Sequence, residues 1–474
     1  MRNLFIVFYC LVSALTIKAN GQDSLWKIQT TDYHGTYYGA TVANGGIGIL
    51  PWKEPFSIRH VMLNHVFDSA TPQDVSRVLR GINPFNLQMQ INGQTVNGDN
   101  ISRWEQCIDM KEATHNTHFT CDGKADVSYS ICALRNLPYA GLVRVEVVAL
   151  GDMYLTVSNP IEIPDEYKNI GSKLVNVNVN GNDIKIVRTW ALSKYREQKV
   201  SASSAFIYDK NSSVQQQYNG SGQISISLKK GEKFFFTLLG AVCTGRDFID
   251  PYNESDREVI YGAKEGLTRL MDGHRKLWNE MWKGDIVIEG DDEAQRTVRF
   301  ALYNLYSNAR KGSRLSIPPF GLSSQGYNGH IFWDTEFWMY PPMLFMNQGI
   351  ARTMMDYRTD RLEAACQKAL SYGYDGAMFP WESDDAGEEA CPTWALTGPF
   401  EHHITADIAI AAWNYYCMSG DQRWLREEGF PLMEKVAEFW VSRVEKNDDG
   451  SYSIRNVVCA DEYAEGDDNA FTNG

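Results

Sequence analysis

Leu87-Gln88-Met89-Gln90-Ile91-Asn92-Gly93-Gln94-Thr95-Val96 is the stretch that decides the first half of the fold. Apolar and polar residues alternate through Ile91, Asn92-Gly93 turns the chain, and 94–96 returns. Period-2 alternation marks a half-buried strand, and Asn-Gly tolerates the positive φ that a two-residue type I′ hairpin turn demands. The pattern recurs at Val175-Asn176-Val177-Asn178-Val179, turning at Asn180-Gly181 and returning through Ile184–Val187. Further strands are predicted at Val143–Leu150, Ile224–Leu228 and Phe234–Leu239. Short strands joined by Gly/Asn turns over residues 22–253 imply a large antiparallel β-sandwich.

Downstream, the period changes. Glu254–Asp272 and His274–Trp282 read as amphipathic helices of a linker over 254–290, closed by a short strand at Asp285–Glu289. From Asp291 the apolar spacing is 3.6. Ala294–Lys311 is expected to bury Val298, Leu302, Leu305 and Ala309. Trp333–Met346, Gly349–Ser371, Ile404–Met418 and Pro431–Glu445 are the helices predicted after it. In the last, Pro431 suits a first turn, and Leu432, Val436, Phe439, Trp440 and Val444 form one stripe.

The 474 residues carry 45 Lys and Arg against 59 Asp and Glu, a net charge of −14. Phosphate backbones repel such a chain, so no nucleic-acid partner is expected. Aromatic residues are 12%, including 13 Trp and 24 Tyr, which suits a site that packs flat ligands. At the N-terminus, Arg2, the apolar run Leu4–Leu15 and the small residues Ala19 and Gly21 read as a secretory signal cleaved before Gln22. The run is too short to span a bilayer, no other stretch comes close, and a secreted or periplasmic protein follows. Cys10 lies inside the signal. The other eight cysteines have neither CxxC nor zinc spacing and are expected as buried thiols, with at most one bridge among Cys107, Cys121 and Cys132.

Three segments carry candidate chemistry. In Gly329-His330-Ile331-Phe332-Trp333-Asp334-Thr335-Glu336, a carboxylate beside an indole can bind sugar hydroxyls while the ring packs on the apolar sugar face; a helix cap by Asp334 or Thr335 is the competing reading. In Met378-Phe379-Pro380-Trp381-Glu382-Ser383-Asp384-Asp385, acids follow a Trp, and a solvated loop competes. Their spacing is not that of a calcium loop. In Cys459-Ala460-Asp461-Glu462-Tyr463-Ala464-Glu465-Gly466-Asp467-Asp468-Asn469, crowded carboxyls favour a raised pKa on Glu462, as glycoside cleavage requires of its acid, against a solvated turn. His402-His403 are adjacent and point about 100° apart on a helix, so they read as helix-entry residues in the site wall, not as a metal pair. No metal or cofactor is expected.

With Glu401–Tyr416 (EHHITADIAIAAWNYY), these segments stand in the order in which they occur in glycoside hydrolase family 65, which the chain resembles strongly over 320–474. That family holds maltose, trehalose and kojibiose phosphorylases, acid trehalases and related α-glucoside hydrolases. The resemblance implies a β-supersandwich, a helical linker and an (α/α)6-barrel catalytic domain. It implies inverting attack on an α-glucosidic bond, with Glu462 as general acid. Trp333 and Asp334 would hold the terminal glucose, and Trp381, Glu401 and His402 would line the pocket. The substrate would be a small α-glucoside of the kojibiose, trehalose or glucosyl-galactosyl type. Hydrolases and phosphorylases of the family differ in determinants, the hydrolases' base among them, expected beyond Gly474; with about five helices where the family's barrel needs twelve, 291–474 reads as the first half of a barrel and the 474 residues as a fragment, inactive or weak by itself. An export signal favours hydrolysis, because phosphorolysis makes a sugar phosphate worth keeping inside the cell. A phosphorylase is the alternative, and a non-catalytic carbohydrate-binding protein a second one. The oligomeric state is not assigned.

Overall fold

A computed structural model describes residues 21–460 except 70–74, 180 and 210–212, together with 462, 463, 466 and 468. The expected signal segment, 1–21, lies almost wholly outside the described residues, and Asp461 lies outside them too.

The first half is antiparallel. Nine strands form the largest sheet, in the order Lys27–Thr30, Ile101–Asp109, Thr114–Cys121, Ala125–Ala133, Ala140–Ala149, Lys233–Thr244, Lys199–Tyr208, Asn182–Ser193, Tyr167–Val179. A five-stranded sheet runs Gln215–Tyr218, Gly222–Leu228, Met153–Asn159, Gln88–Ile91, Gln94–Thr95. Val127, Tyr129, Val143, Val145 and Val147 of the large sheet share one buried core with Met89, Ile91, Leu155, Val157, Ile224 and Ile226 of the smaller. A four-stranded sheet, Val42–Ala43, Ile47–Pro51, Ile58–Ser69 and Ser76–Gly81, lies towards the helical half. The 87–96 hairpin forms as expected: Ile91 faces Gln94, and Asn92 and Gly93 have φ of 52° and 80°.

The helices after the sandwich do more than connect. Pro251–Glu265 (α1) and Leu267–Met281 (α2) break at Gly266, whose φ is 80°, and not near position 273 as predicted. Val259 of α1 and Leu270 and Met271 of α2 cover the second face of the large sheet, against Leu142, Ile186, Leu239 and Ala241. Ser203 donates to Asp256 at 2.7 Å, and Arg188 approaches Asp256 at 3.3 Å. Both faces of the central strands are therefore buried.

No strand forms at Asp285–Glu289. Instead the amide of Gln295 donates to Ile286 O (2.9 Å) and accepts from Ile288 N (2.6 Å), taking the place of a neighbouring strand. Gln295 belongs to Asp292–Asn308 (α3), capped by Asp291. Its buried face carries Gln295, Arg299, Leu302, Tyr303 and Tyr306, while Val298 and Leu305 are half-buried. Aromatic packing sets that rotation: Tyr303 stacks on Trp278 at 5.4 Å, and Arg299 lies 3.7 Å over Trp26.

Two predicted helices are interrupted. Trp333–Met346 divides into a wide turn, Thr335–Met339, and Tyr340–Met346 (α4). Pro341 and Pro342 have no N–H to continue the regular ladder, and the preceding turn widens. Gly349–Ser371 divides into Gln348–Thr359 (α5) and Leu362–Ser371 (α6). Arg361 at the break stacks 3.7 Å over Tyr357 and donates to Tyr357 O and Asp385 O. His403–Ser419 (α7) and Phe430–Arg443 (α8) follow, α8 with Pro431 in its first turn and Leu432, Val436 and Phe439 buried.

Cys107, Cys121 and Cys132 are all free thiols, so the expected bridge is absent. Strand register separates them: Cys121 points into the sandwich core, whereas Cys132 points to the helix-covered face, 3.5 Å from His274 Nε2. Cys107 lies opposite Asn116 and Gln29.

Candidate active site

Two loop segments meet through a single backbone bridge. Ile331 N donates to Ser383 O at 2.9 Å and Ser383 N to Ile331 O at 3.0 Å. The bridge sets Trp333 beside Trp381, with ring centroids 6.5 Å apart and planes 34° apart. Each segment is anchored from behind. Under the first, Glu336 and Arg358 form a buried bidentate ion pair at 2.7 and 2.8 Å, and Thr335 donates to Ile317 O. Behind the second, the Glu389 carboxylate accepts from Trp381 N (2.8 Å), Glu382 N (3.0 Å) and Lys368 Nζ (2.6 Å).

Asp334 stands at the N-terminal edge of the wide turn and makes no capping hydrogen bond. Burial raises its pKa. The acids after Trp381 are not a solvated loop: Glu382 and Asp384 are 8% and 3% exposed. Glu382 Oε2 lies 2.8 Å from His330 Nδ1, and His330 Nε2 donates to Ser76 O at 2.8 Å. Ser76 also donates to Asp384 (3.2 Å), while Arg196 meets Asp385 at 2.8 Å. The β half thus buttresses the acidic loop from the start of one strand and from the turn between two others.

The opposite wall comes from the start of α7. Glu401 is fully buried. Its Oε1 is 3.0 Å from His403 Nε2, and its Oε2 has no partner among the described residues. His403 Nδ1 is 2.8 Å from Asp407. The His403 ring stands edge-on to Trp333 (5.1 Å, 86°) and Trp381 (5.5 Å, 75°). Burial is the largest single influence on His403 and opposes the imidazolium, but hydrogen bonds to Asp407 and Glu401 outweigh it and push its pKa up to about 9. Burial pushes Glu401 up to about 7, with help from Glu462 and Asp407 and against His403.

The last loop returns to this wall through Val458 N, which donates to Phe400 O at 3.1 Å. Glu462, exposed on that loop, feels Glu382 and Asp334 across the opening. Partial desolvation of its carboxyl first, then those two carboxylates, raise its pKa, and His403 opposes them. Asp334, Glu382 and His403 therefore all act on Glu462, Glu462 acts on Glu401, and the rings of Trp333 and Trp381 pack against His403 in the same place.

Of the sequence-predicted residues, the structure brings Trp333, Asp334, Trp381, Glu401 and Glu462 together. His402 turns away from both indoles: Arg443 donates to its Nδ1 at 3.2 Å, its Nε2 reaches Pro399 O, and its ring packs against Phe439. Burial lowers its pKa to about 4. The neighbouring His403 faces the site instead. Asp407 and Glu382, which the sequence did not single out as site residues, join it, although His403 and Asp407 stand four apart on a helix, the spacing at which side chains meet. Among the described residues, no three His, Cys, Asp or Glu side chains are grouped to hold a metal, and no helix is long and apolar enough to cross a membrane.

Paired indoles around carboxyls of unequal proton affinity fit a carbohydrate and acid-catalysed bond cleavage. Comparison with known proteins decides the family. The model of the glycosyl hydrolase family 65 N-terminal domain matches residues 39–281, and that of the family's central catalytic domain matches 299–474.

The chain belongs to glycosyl hydrolase family 65.

Among family 65 relatives, a kojibiose hydrolase of Flavobacterium johnsoniae is 42% identical over 99% of this chain and 70% of its own length. A kojibiose hydrolase of Mucilaginibacter mallensis is 38% identical over 99% of the chain and 71% of its own length. A solved structure assigned as a kojibiose phosphorylase from the human microbiome superposes with a TM-score of 0.80 at 16% identity, over 95% of this chain and 64% of that one. The last likeness shows a shared fold, and the chain spans under two thirds of that protein.

Proposed function

We propose that the protein is an exported, inverting α-glucoside hydrolase acting on a small glucosyl disaccharide, kojibiose first among candidates, with Glu462 as the general acid. The observation that carries this is the setting of Glu462. Burial and the carboxylates Glu382 and Asp334 favour its protonated form, and a general acid must hold a proton at working pH to give it to the leaving glycosidic oxygen. Asp334 and the rings of Trp333 and Trp381 hold the glucosyl unit as charge develops at its anomeric carbon. In inversion a second carboxylate takes a proton from the attacking water on the opposite face, about 6.5–9.5 Å from the acid.

Similarity along almost the whole chain to two kojibiose hydrolases supports hydrolysis over phosphorolysis and supports the linkage. Export rests on the N-terminal sequence. The test is glucose release from kojibiose, trehalose and maltose by the full-length protein in phosphate-free buffer and with added phosphate. Release from kojibiose in both buffers is expected. Product formed only with phosphate would make the protein a phosphorylase.

A further inference from the structure

His403 has a carboxylate on each ring nitrogen, Asp407 on Nδ1 at 2.8 Å and Glu401 on Nε2 at 3.0 Å. A neutral imidazole has one N–H, and an ionised carboxylate only accepts, so a neutral ring between two carboxylates leaves one contact unmade. An imidazolium satisfies both contacts, and so does a neutral ring beside one protonated carboxyl. Both arrangements leave the trio with one net negative charge. Asp407 stands one helical turn beyond His403 and holds the ring nitrogen opposite the one that meets Glu401. The second oxygen of Glu401 is buried with no donor among the described residues, which leaves a hydrogen-bond acceptor for a ligand hydroxyl.

We propose that Asp407 is a positioning residue of the sugar site: through His403 it fixes the ring edge-on to Trp333 and Trp381 and sets the free oxygen of Glu401 to accept a hydroxyl of the glucosyl unit. This rests on reading the site as a sugar site. The charged groups that face His403 are Asp407 on its own helix, Glu401 and His402 just before it, and Glu462 on the last loop. The buried Glu336–Arg358 pair lies near enough to act on Asp407.

The test uses full-length Asp407→Asn, which keeps shape and an acceptor but loses the charge, and Asp407→Ala. Glucose affinity is measured by calorimetry from about pH 6 to pH 8, with kcat and KM on kojibiose and the thermal midpoint alongside. Without the Asp407 charge, His403 gives up its proton at a lower pH. The Asn variant is expected to melt like the wild type, to bind glucose almost normally near pH 6, and to bind it about tenfold or more weakly near pH 8. In the wild type His403 keeps its proton across that range and Glu401, pushed up to about 7, titrates within it, so its affinity should change markedly less than that of the Asn variant. Wild-type affinity at every pH in the Asn variant would overturn the proposal, and so would a pH-independent loss accompanied by a lower midpoint. If the Ala variant does not fold, the Asn variant decides alone. A wild type that binds glucose but hydrolyses nothing would overturn the hydrolase assignment and leave this one to be decided by affinity.

Discussion

Glu462 works as an acid only while protonated, so the groups that hold its proton set the alkaline limit of activity. A carboxyl whose pKa is raised keeps its proton to higher pH, and kcat/KM falls as pH rises through that value. Glu382→Gln removes the charge that acts most strongly on Glu462 among the described carboxylates and should move the alkaline limb to lower pH; a limb that stays put or moves upward would refute the coupling. Glu462→Gln should lower kcat by about 10² to 10⁴-fold with KM little changed. Turnover within a few-fold of wild type would remove Glu462 from its role. Asp334→Ala, at a carboxyl free of any capping duty, should lower kcat/KM by about 10- to 100-fold, the worth of a hydrogen bond to a charged group.

At the scale of elements, the candidate-site segments stand on buried pieces behind them. The Glu336–Arg358 pair is buried on both sides and holds the wide turn after Asp334 to α5. Removing one partner strands the other charge, so Arg358→Ala should cost about 3–5 kcal/mol in denaturant unfolding. A loss under about 1 kcal/mol would mean that the pair is not structural. Such buttresses also mark the limit of what could be read in advance. The Asn92-Gly93 hairpin and the Leu432/Val436/Phe439 stripe were legible because turn chemistry and period act over a few residues. The widened turn was missed because the effect of Pro341-Pro342 falls on the residues before them, and the packing of α1 on the sheet because Ser255 and Asp256 look like exposed polar residues. Trp333, Asp334, Trp381 and Glu462 were legible in their segments. The role of His330 was not, since its partner Ser76 lies 254 residues away. Of the two adjacent histidines read into the site wall, the sequence could not show that His403 and not His402 faces the indoles, because adjacent residues share a motif and differ only in which way the helix start turns them.

For the whole molecule, two sheets and a helical half meet at one opening, and the β half reaches it through Ser76 and Arg196. The net charge of −14 is distributed over a protein whose proposed substrate is neutral. Steering needs charge on both partners. kcat/KM for a disaccharide should then be flat between about 50 and 300 mM salt, and a steep dependence would point to an ionic substrate. The central claim, single-displacement hydrolysis driven by Glu462, is tested most directly by proton NMR of the first minutes of kojibiose cleavage by the full-length protein in phosphate-free buffer. Inversion predicts that the half of the product glucose that comes from the glucosyl unit appears wholly as the β-anomer before mutarotation, so that β exceeds its equilibrium share, which the reducing-end half already holds. Glucose released first as the α-anomer, or no cleavage until phosphate is added, would contradict it.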